Sequence, residues 1–182
     1  DEIAPDLARH FSLIMFDNRG VGNSIAKRTP TRLHDFAADI IELLDALHLE
    51  RVHVMGLSLG GVLAQRLAVD HPSRVDRLVL VSCTNHFGPY LRKMAELLAH
   101  ALRYFPWRIH EETVAFLGLG PNYLDTHPEA LADKVSQRRS ARMSRKQMII
   151  QLRALGASDF TKEEYHIKSP TLVIAGEHDV LI

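Results

Sequence analysis

The stretch that decides the fold is RVHVMGLSLGGVLAQ, residues 51–65. It begins with a short apolar run, passes through a serine with glycines two residues away on either side, and continues with leucines at four-residue spacing. The first part predicts a strand, and the second predicts a helix with Leu59, Leu63 and Leu67 on one face. Gly-x-Ser-x-Gly at such a junction predicts a sharp turn that holds Ser58 at the carboxyl edge of a sheet.

Three further apolar runs indicate that this strand belongs to a parallel sheet. Residues 11–16 (FSLIMF), 77–82 (RLVLVS) and 171–175 (TLVIA) are short and mostly continuous rather than alternating, which is typical of strands covered on both faces. The helix expected before residue 51 shows its apolar stripe at Phe36, Ile40, Leu43, Leu44 and Leu47, after the start signals Pro30 and Thr31. Strands alternating with helices predict an α/β fold of the doubly wound kind.

The long interval before the last predicted strand carries only helical signals. Its apolar residues form two stripes, Leu91, Met94, Leu98 and Leu102, and Met148, Leu152 and Leu155. An insertion after the carboxyl end of a parallel strand lies over the edge where ligands bind. We therefore predict a core formed by residues 1–86 and 161–182, and a helical cap or lid formed by residues 87–160.

Composition excludes several classes of partner. The 22 basic residues balance the 22 acidic ones, so we expect neither nucleic acid nor an anionic membrane as a partner. No apolar run reaches the roughly 18 to 20 residues that span a bilayer, and the first ten residues lack a signal-peptide pattern. The lone Cys83 fits a reducing compartment, which makes a cytoplasmic location the expectation. The 11 histidines form no HExxH and the chain has no CxxC, so we expect no metal and no cofactor.

Two interpretations of Ser58 follow from the residues around it. In the first, Ser58 is a nucleophile: Gly56 and Gly60 let the backbone turn sharply, and the Leu59 N–H at the start of the helix points at an oxyanion. In the second, Ser58 is a small residue that caps the helix. The predicted strand and helix on either side favour the nucleophile.

Three segments together resemble the α/β-hydrolase fold superfamily, in its lid-bearing group of esterases, lactonases and haloperoxidase-like enzymes. FDNRGVGNS (residues 16–24) is similar to the turn after the family's fourth strand, GLSLGG (residues 56–61) to its nucleophile elbow, and SPTLVIAGEHD (residues 169–179) to the strand and loop that supply its acid. The resemblance implies a serine hydrolase of apolar esters or lactones. Perhydrolase-like and carbon–carbon bond hydrolysis remain alternatives within the fold, and a non-catalytic small-molecule-binding module is the alternative outside the enzymes.

The resemblance also implies roles for single residues. Ser58 is the nucleophile and Asp179 the acid that orients a catalytic histidine, in the chain order serine, acid, histidine. Glu177 is a weaker rival for the acid, and a carboxylate that only caps a turn is the alternative for Asp179. His178 is adjacent to the acid and is a poor base.

Two loops receive structural interpretations. Asp17, Arg19 and Ser24 are expected to hold the glycine-containing loop together by local hydrogen bonds, because Ile25 stands where a phosphate-binding loop would have its third glycine. Asn85 and His86 are expected either at the rim of the pocket or in a solvated loop.

The chain lacks two features of the family pattern, the His-Gly oxyanion loop and a histidine after the acid. We interpret it as an internal part of a longer hydrolase, without the N-terminal strands, the C-terminal strand and the base. The 182 residues alone should then turn over activated esters poorly. Residues 11–16 should either pair directly with residues 51–55 or leave exposed strand edges.

Overall fold

The computed structural model describes residues 3–24, 32–139, 144–157, 159–160, 162 and 166–179. Three strands form one parallel sheet in the order β1 (Val52–Leu57), β2 (Val75–Val81) and β3 (Thr171–Ile174). The helices are α1 (Ala4–Leu7), α2 (Leu33–Ala46), α3 (Leu59–Asp70), α4 (Pro89–Tyr104), α5 (Trp107–Leu117), α6 (Pro121–Thr126), α7 (Ala130–Arg139) and α8 (Arg145–Gly156). A parallel sheet with helices between its strands confirms the predicted α/β class. The start signals Pro30 and Thr31 lie outside the described residues.

The central strand β2 is packed on one face and more open on the other, and β3 is exposed on both faces. Val75, Leu78 and Leu80 of β2 are almost fully buried because they pack with Ala64, Leu67 and Ala68 of α3 and with Ala37 of α2. Leu78 and Leu80 alternate with the less buried Val79 and Val81, as in a strand covered on one face, whereas the register with β1 shifts between Val75 and Leu78. The three strands confirm their predictions, with ends shifted by up to two residues.

The predicted strand at residues 11–16 is wrong. The segment is irregular and its large apolar side chains are exposed, with Met15 at 64%. It passes beside β1, where the rings of Phe11 and His53 meet edge-to-face at 6.1 Å between centroids, but it forms no ladder with β1. A strand needs a hydrogen-bonding neighbour, and the described residues provide none on this side of the sheet.

Helices α4 to α8 fill the interval between β2 and β3. The two predicted stripes lie on α4 and α8, which pack against each other, and α5 packs on α7. A second apolar cluster joins these helices to the rest of the molecule, since Phe87, Ala154 and Phe160 share it with Phe36, Val62 and Leu63. None of the helices in the described ranges is both long enough and apolar enough to cross a membrane.

Candidate active site

Ser58 is the single residue between β1 and α3. Its N–H donates to Val81 O at 2.9 Å, which continues the sheet ladder, while its own carbonyl accepts from Val62 N at 3.1 Å, which starts the helix. To serve both elements the backbone adopts φ 53° and ψ −119°. A non-glycine residue in this region carries backbone strain. The side chain makes no capping hydrogen bond within α3, so the helix-cap interpretation of Ser58 finds no support.

The glycines around Ser58 differ in how much room each leaves for a side chain. A Cβ at Gly56 would collide with the backbone of Gly60, and a Cβ at Gly61 would lie 2.5 Å from Cys83 Sγ. A Cβ at Gly60 would meet no atom within 4 Å. The expectation that Gly60 must lack a side chain for the chain to pass itself is therefore wrong. The backbone of Gly60 is what crowds Gly56, and Gly61 is the second position at which a side chain has no room.

The start of α3 offers N–H groups for an anion. The first helical bond runs from Val62 N to Ser58 O, so the N–H groups of Leu59, Gly60 and Gly61 precede the hydrogen-bonding pattern of the helix. The positive end of the helix dipole lies here, and the first turn carries no acidic residue. The arrangement suits an oxygen that gains negative charge beside Ser58.

Asp179 follows β3 on the same edge of the sheet. β1 and β3 both flank β2, and their ends are in register, since Leu57 pairs with Val81 and Val81 pairs with Ile174. Two strand spacings separate them, or about 10 Å. Asp179 is half-buried and its N–H donates to Gly176 O at 3.2 Å. Ser58 and Asp179 thus both follow carboxyl ends of parallel strands.

The loop after β2 is fastened to α3 by a residue that the sequence analysis missed. Gln65 is 3% exposed, and its Nε2 donates to Thr84 O at 3.0 Å. Thr84 Oγ1 in turn donates to His86 O at 3.0 Å and accepts from His86 N at 3.2 Å. The available signal was a glutamine that directly follows six small or apolar residues at the start of α3.

Cys83 lies beside Gly61 as a half-buried thiol. Burial raises the pKa of this thiol, and the amide of Gln65, 3.6 Å from the sulfur, opposes that shift. A thiol with a raised pKa is a poor nucleophile near neutral pH. Cys83 is therefore a weaker candidate nucleophile than Ser58.

The loop at residues 17–24 is held mainly as expected. Ser24 Oγ donates to Asp17 O at 2.7 Å, and Asn23 N donates to Asp17 Oδ2 at 3.1 Å. Arg19 differs from the expectation, because its Nε donates to Asp39 of α2 at 2.8 Å. Arg19 therefore ties the loop to α2 rather than closing it on itself.

The described residues do not enclose Ser58, which is exposed. A cavity of about 360 Å³ lies between α4 and α8, and a second of about 480 Å³ lies beside His48 and Arg74. Neither includes Ser58. In the part of the chain that the structure describes, no three His, Cys, Asp or Glu side chains come together as a metal site.

Comparison with known proteins agrees with this fold. The family model described as alpha/beta hydrolase fold matches residues 1–182. The chain belongs to the α/β-hydrolase fold family.

Solved structures and a curated relative give the extent of the similarity. A hydrolase from Pseudomonas aeruginosa PA01 is 32% identical with a TM-score of 0.78, over 94% of this chain and 64% of that one. The enol-lactonase from Burkholderia xenovorans LB400 is 27% identical with a TM-score of 0.78, over 96% and 67%. The protein named "Putative carbamate hydrolase RutD" from Agrobacterium fabrum is 29% identical over 188 residues, 97% of this chain and 68% of that protein. The chain thus spans about two thirds of the length of these relatives.

Proposed function

We propose that the protein is a serine hydrolase that cleaves an ester or lactone through an acyl-enzyme at Ser58. The observation that carries the proposal is the backbone of Ser58, which is strained at φ 53° between a strand and a helix. Strain of this kind persists at functional sites because it holds a side chain where the reaction needs it. The relatives named as an enol-lactonase and a carbamate hydrolase support attack on a carbonyl carbon.

The proposed mechanism has two steps. Ser58 Oγ attacks the carbonyl carbon while a histidine outside residues 1–182 takes its proton, and the Leu59 N–H donates to the oxyanion. The intermediate collapses, the alcohol leaves with the proton from the histidine, and Ser58 is acylated. Water then attacks the acyl-enzyme and releases the acid. Asp179 orients the histidine and stabilises its charged form.

A carbamate is a second candidate substrate, because the name of the relative from Agrobacterium fabrum describes its hydrolysis. The same attack by Ser58 applies, with an amine or alcohol as the leaving group. A non-catalytic binding module is disfavoured, because such a module has no need of a strained serine at the start of a helix. Residues 87–160, the proposed cap, would select the substrate.

The test uses the full-length gene product with a fluorophosphonate and with p-nitrophenyl esters, lactones and carbamates. We expect stoichiometric labelling of Ser58, and a fall in kcat/KM of at least about 10³-fold in Ser58→Ala. Ser82→Ala is the matched control, because Ser82 also follows a strand on this edge with a positive φ, 44°, but starts no helix. Labelling that survives in Ser58→Ala would overturn the proposal.

The acid is tested in the same assay. Asp179→Asn should lower kcat by about 10³- to 10⁴-fold, since the histidine loses its orienting charge. Glu177→Gln, in the same turn, should leave kcat within about twofold. The reverse result would transfer the role of the acid to Glu177.

A further inference from the structure

The helices between β2 and β3 leave and rejoin the sheet layer at one place. His86 and Asp159 form an isolated antiparallel bridge, and Phe160 N donates to Asn85 O at 2.7 Å. The segment that leads out to α4 and the segment that returns after α8 therefore run side by side. We call residues 85–87 and 159–160 the neck.

A histidine–carboxylate contact crosses the neck. His86 Nδ1 lies 3.3 Å from Asp159 Oδ1. The nitrogen atom is itself buried although 42% of the His86 side chain is exposed, so the ring turns its Nδ1 edge inward. The ring N–H does not point straight at the oxygen, since the pair meets the distance of an ion pair without the geometry of a hydrogen bond. The pair is therefore a close polar contact rather than a well-directed hydrogen bond.

Apolar contacts seat the neck on the helix that follows Ser58. Phe160 is 2% exposed and shares a cluster with Phe87 of the neck and with Val62 and Leu63 of α3. The guanidinium of Arg66, also on α3, lies 5.2 Å from the centre of the Phe160 ring, a distance at which a cation and an aromatic face attract. A movement of the neck would disturb α3 one turn away from Ser58.

We propose that His86 and Asp159 are a positioning pair that holds the base of the α4–α8 segment against α3, and so determines which substrates reach Ser58. The inference rests on the proposed serine-hydrolase function, and neither residue contacts the reacting atoms in it. When the neck is loosened, the α4–α8 segment binds a long acyl group less tightly. This loss is the same in the substrate complex and in the transition state. Such a loss raises KM and leaves kcat unchanged.

The experiment compares p-nitrophenyl octanoate with p-nitrophenyl acetate in the full-length gene product. In His86→Ala and in Asp159→Ala we expect KM for the octanoate to rise about three- to fivefold, the range that a partly exposed ion pair supports. The kcat for both esters should stay within about twofold. In the double variant, KM for the octanoate should rise no more than in either single variant, since the two side chains act as one pair.

Two further variants separate positioning from general damage. His86→Arg places a permanent cation opposite Asp159 and should restore the KM of the parent. His53→Ala is the matched control, because His53 also lies close to a carboxylate, 3.1 Å from Asp76, but away from the neck. A KM increase in His53→Ala equal to that in His86→Ala, or no restoration by His86→Arg, would overturn the inference.

Hydrogen exchange tests the holding role without any substrate. Amide exchange in residues 87–104 should be faster in His86→Ala than in the parent or in His86→Arg, at equal thermal stability. If Ser58 proves inert while this acceleration is seen, the proposed function fails and the pair still holds the neck. Unchanged exchange in both alanine variants overturns the inference even in an active hydrolase.

Discussion

At Ser58 the chain changes from strand to helix within one residue. The positive φ costs about 1–3 kcal/mol, and the structure offsets it with a hydrogen bond on each side, to Val81 in the sheet and from Val62 in the helix. The close approach of Gly56 to the backbone of Gly60 permits the turn. The conformation of Ser58 is thus held by its neighbours in the sheet and in the helix.

A pair of alanine substitutions tests this turn. Gly56→Ala should lower the free energy of unfolding by about 1–3 kcal/mol, because the new Cβ meets backbone atoms that have no room to move. Gly60→Ala should leave it unchanged or raise it by up to about 1 kcal/mol, because its Cβ enters open space in a helix. Urea unfolding measures both. Equal destabilisation by the two variants would show that the crowded glycine has been misassigned.

Among the helices, α2 and α3 are joined by one carboxylate. Asp70 at the end of α3 accepts from Arg66 Nε at 2.9 Å and lies 2.8 Å from His34 Nδ1 of α2. Arg66 is only 6% exposed, and this carboxylate and the ring of Phe160 are among the partners of its charge. A buried charge that loses its partner is strongly destabilising.

Asp70→Ala should therefore lower the free energy of unfolding by about 1–3 kcal/mol, because Arg66 loses one of the partners of its buried charge. The double variant Arg66→Met, Asp70→Ala should recover most of this loss, because it removes the buried charge along with its partner. His34→Ala is the control, since His34 is largely exposed and should cost less than about 1 kcal/mol. Thermal or urea unfolding of the three variants measures these changes in the free energy of unfolding. A double variant as unstable as Asp70→Ala would contradict the account.

At the scale of the whole molecule, the main difference from other parallel α/β folds is that one face of the sheet is exposed. Met55 and Leu57 of β1 pair in register, through β2, with Leu172 and Ile174 of β3, and all four are 46–63% exposed. Parallel sheets are ordinarily covered on both faces. The irregular residues 11–16 add further apolar surface beside β1.

The 182-residue chain should therefore bind a hydrophobic dye such as ANS and associate with itself as its concentration rises. Leu172→Lys should weaken this association at least about tenfold, because burying an unpaired charge costs more than about 1.4 kcal/mol. Leu47→Lys is the control, since Leu47 is also exposed, at 46% against 56% for Leu172, but lies at the end of α2. Dye fluorescence and gel filtration measure the effect. A monomeric chain that binds no dye would contradict it.

Part of this molecule was readable from local sequence. The strands β1, β2 and β3 are continuous apolar runs, and α2, α3, α4 and α8 carry stripes at helical spacing, so periodicity alone predicts them. The strained turn at Ser58 was predictable from Gly-x-Ser-x-Gly between a strand and a helix. The prediction of a strand from an apolar run failed at residues 11–16. An apolar composition does not supply a neighbouring strand with which the segment can form hydrogen bonds.

The sequence by itself thus determined the α/β class, the order of its elements and the turn that presents Ser58, because each depends on residues close together in the chain. Only the tertiary structure decided that Gly61 rather than Gly60 is crowded, that Gln65 fastens the loop after β2, and that the neck closes between His86 and Asp159. These features join residues up to 73 positions apart. No local period encodes such contacts, since they arise only when strands and helices pack.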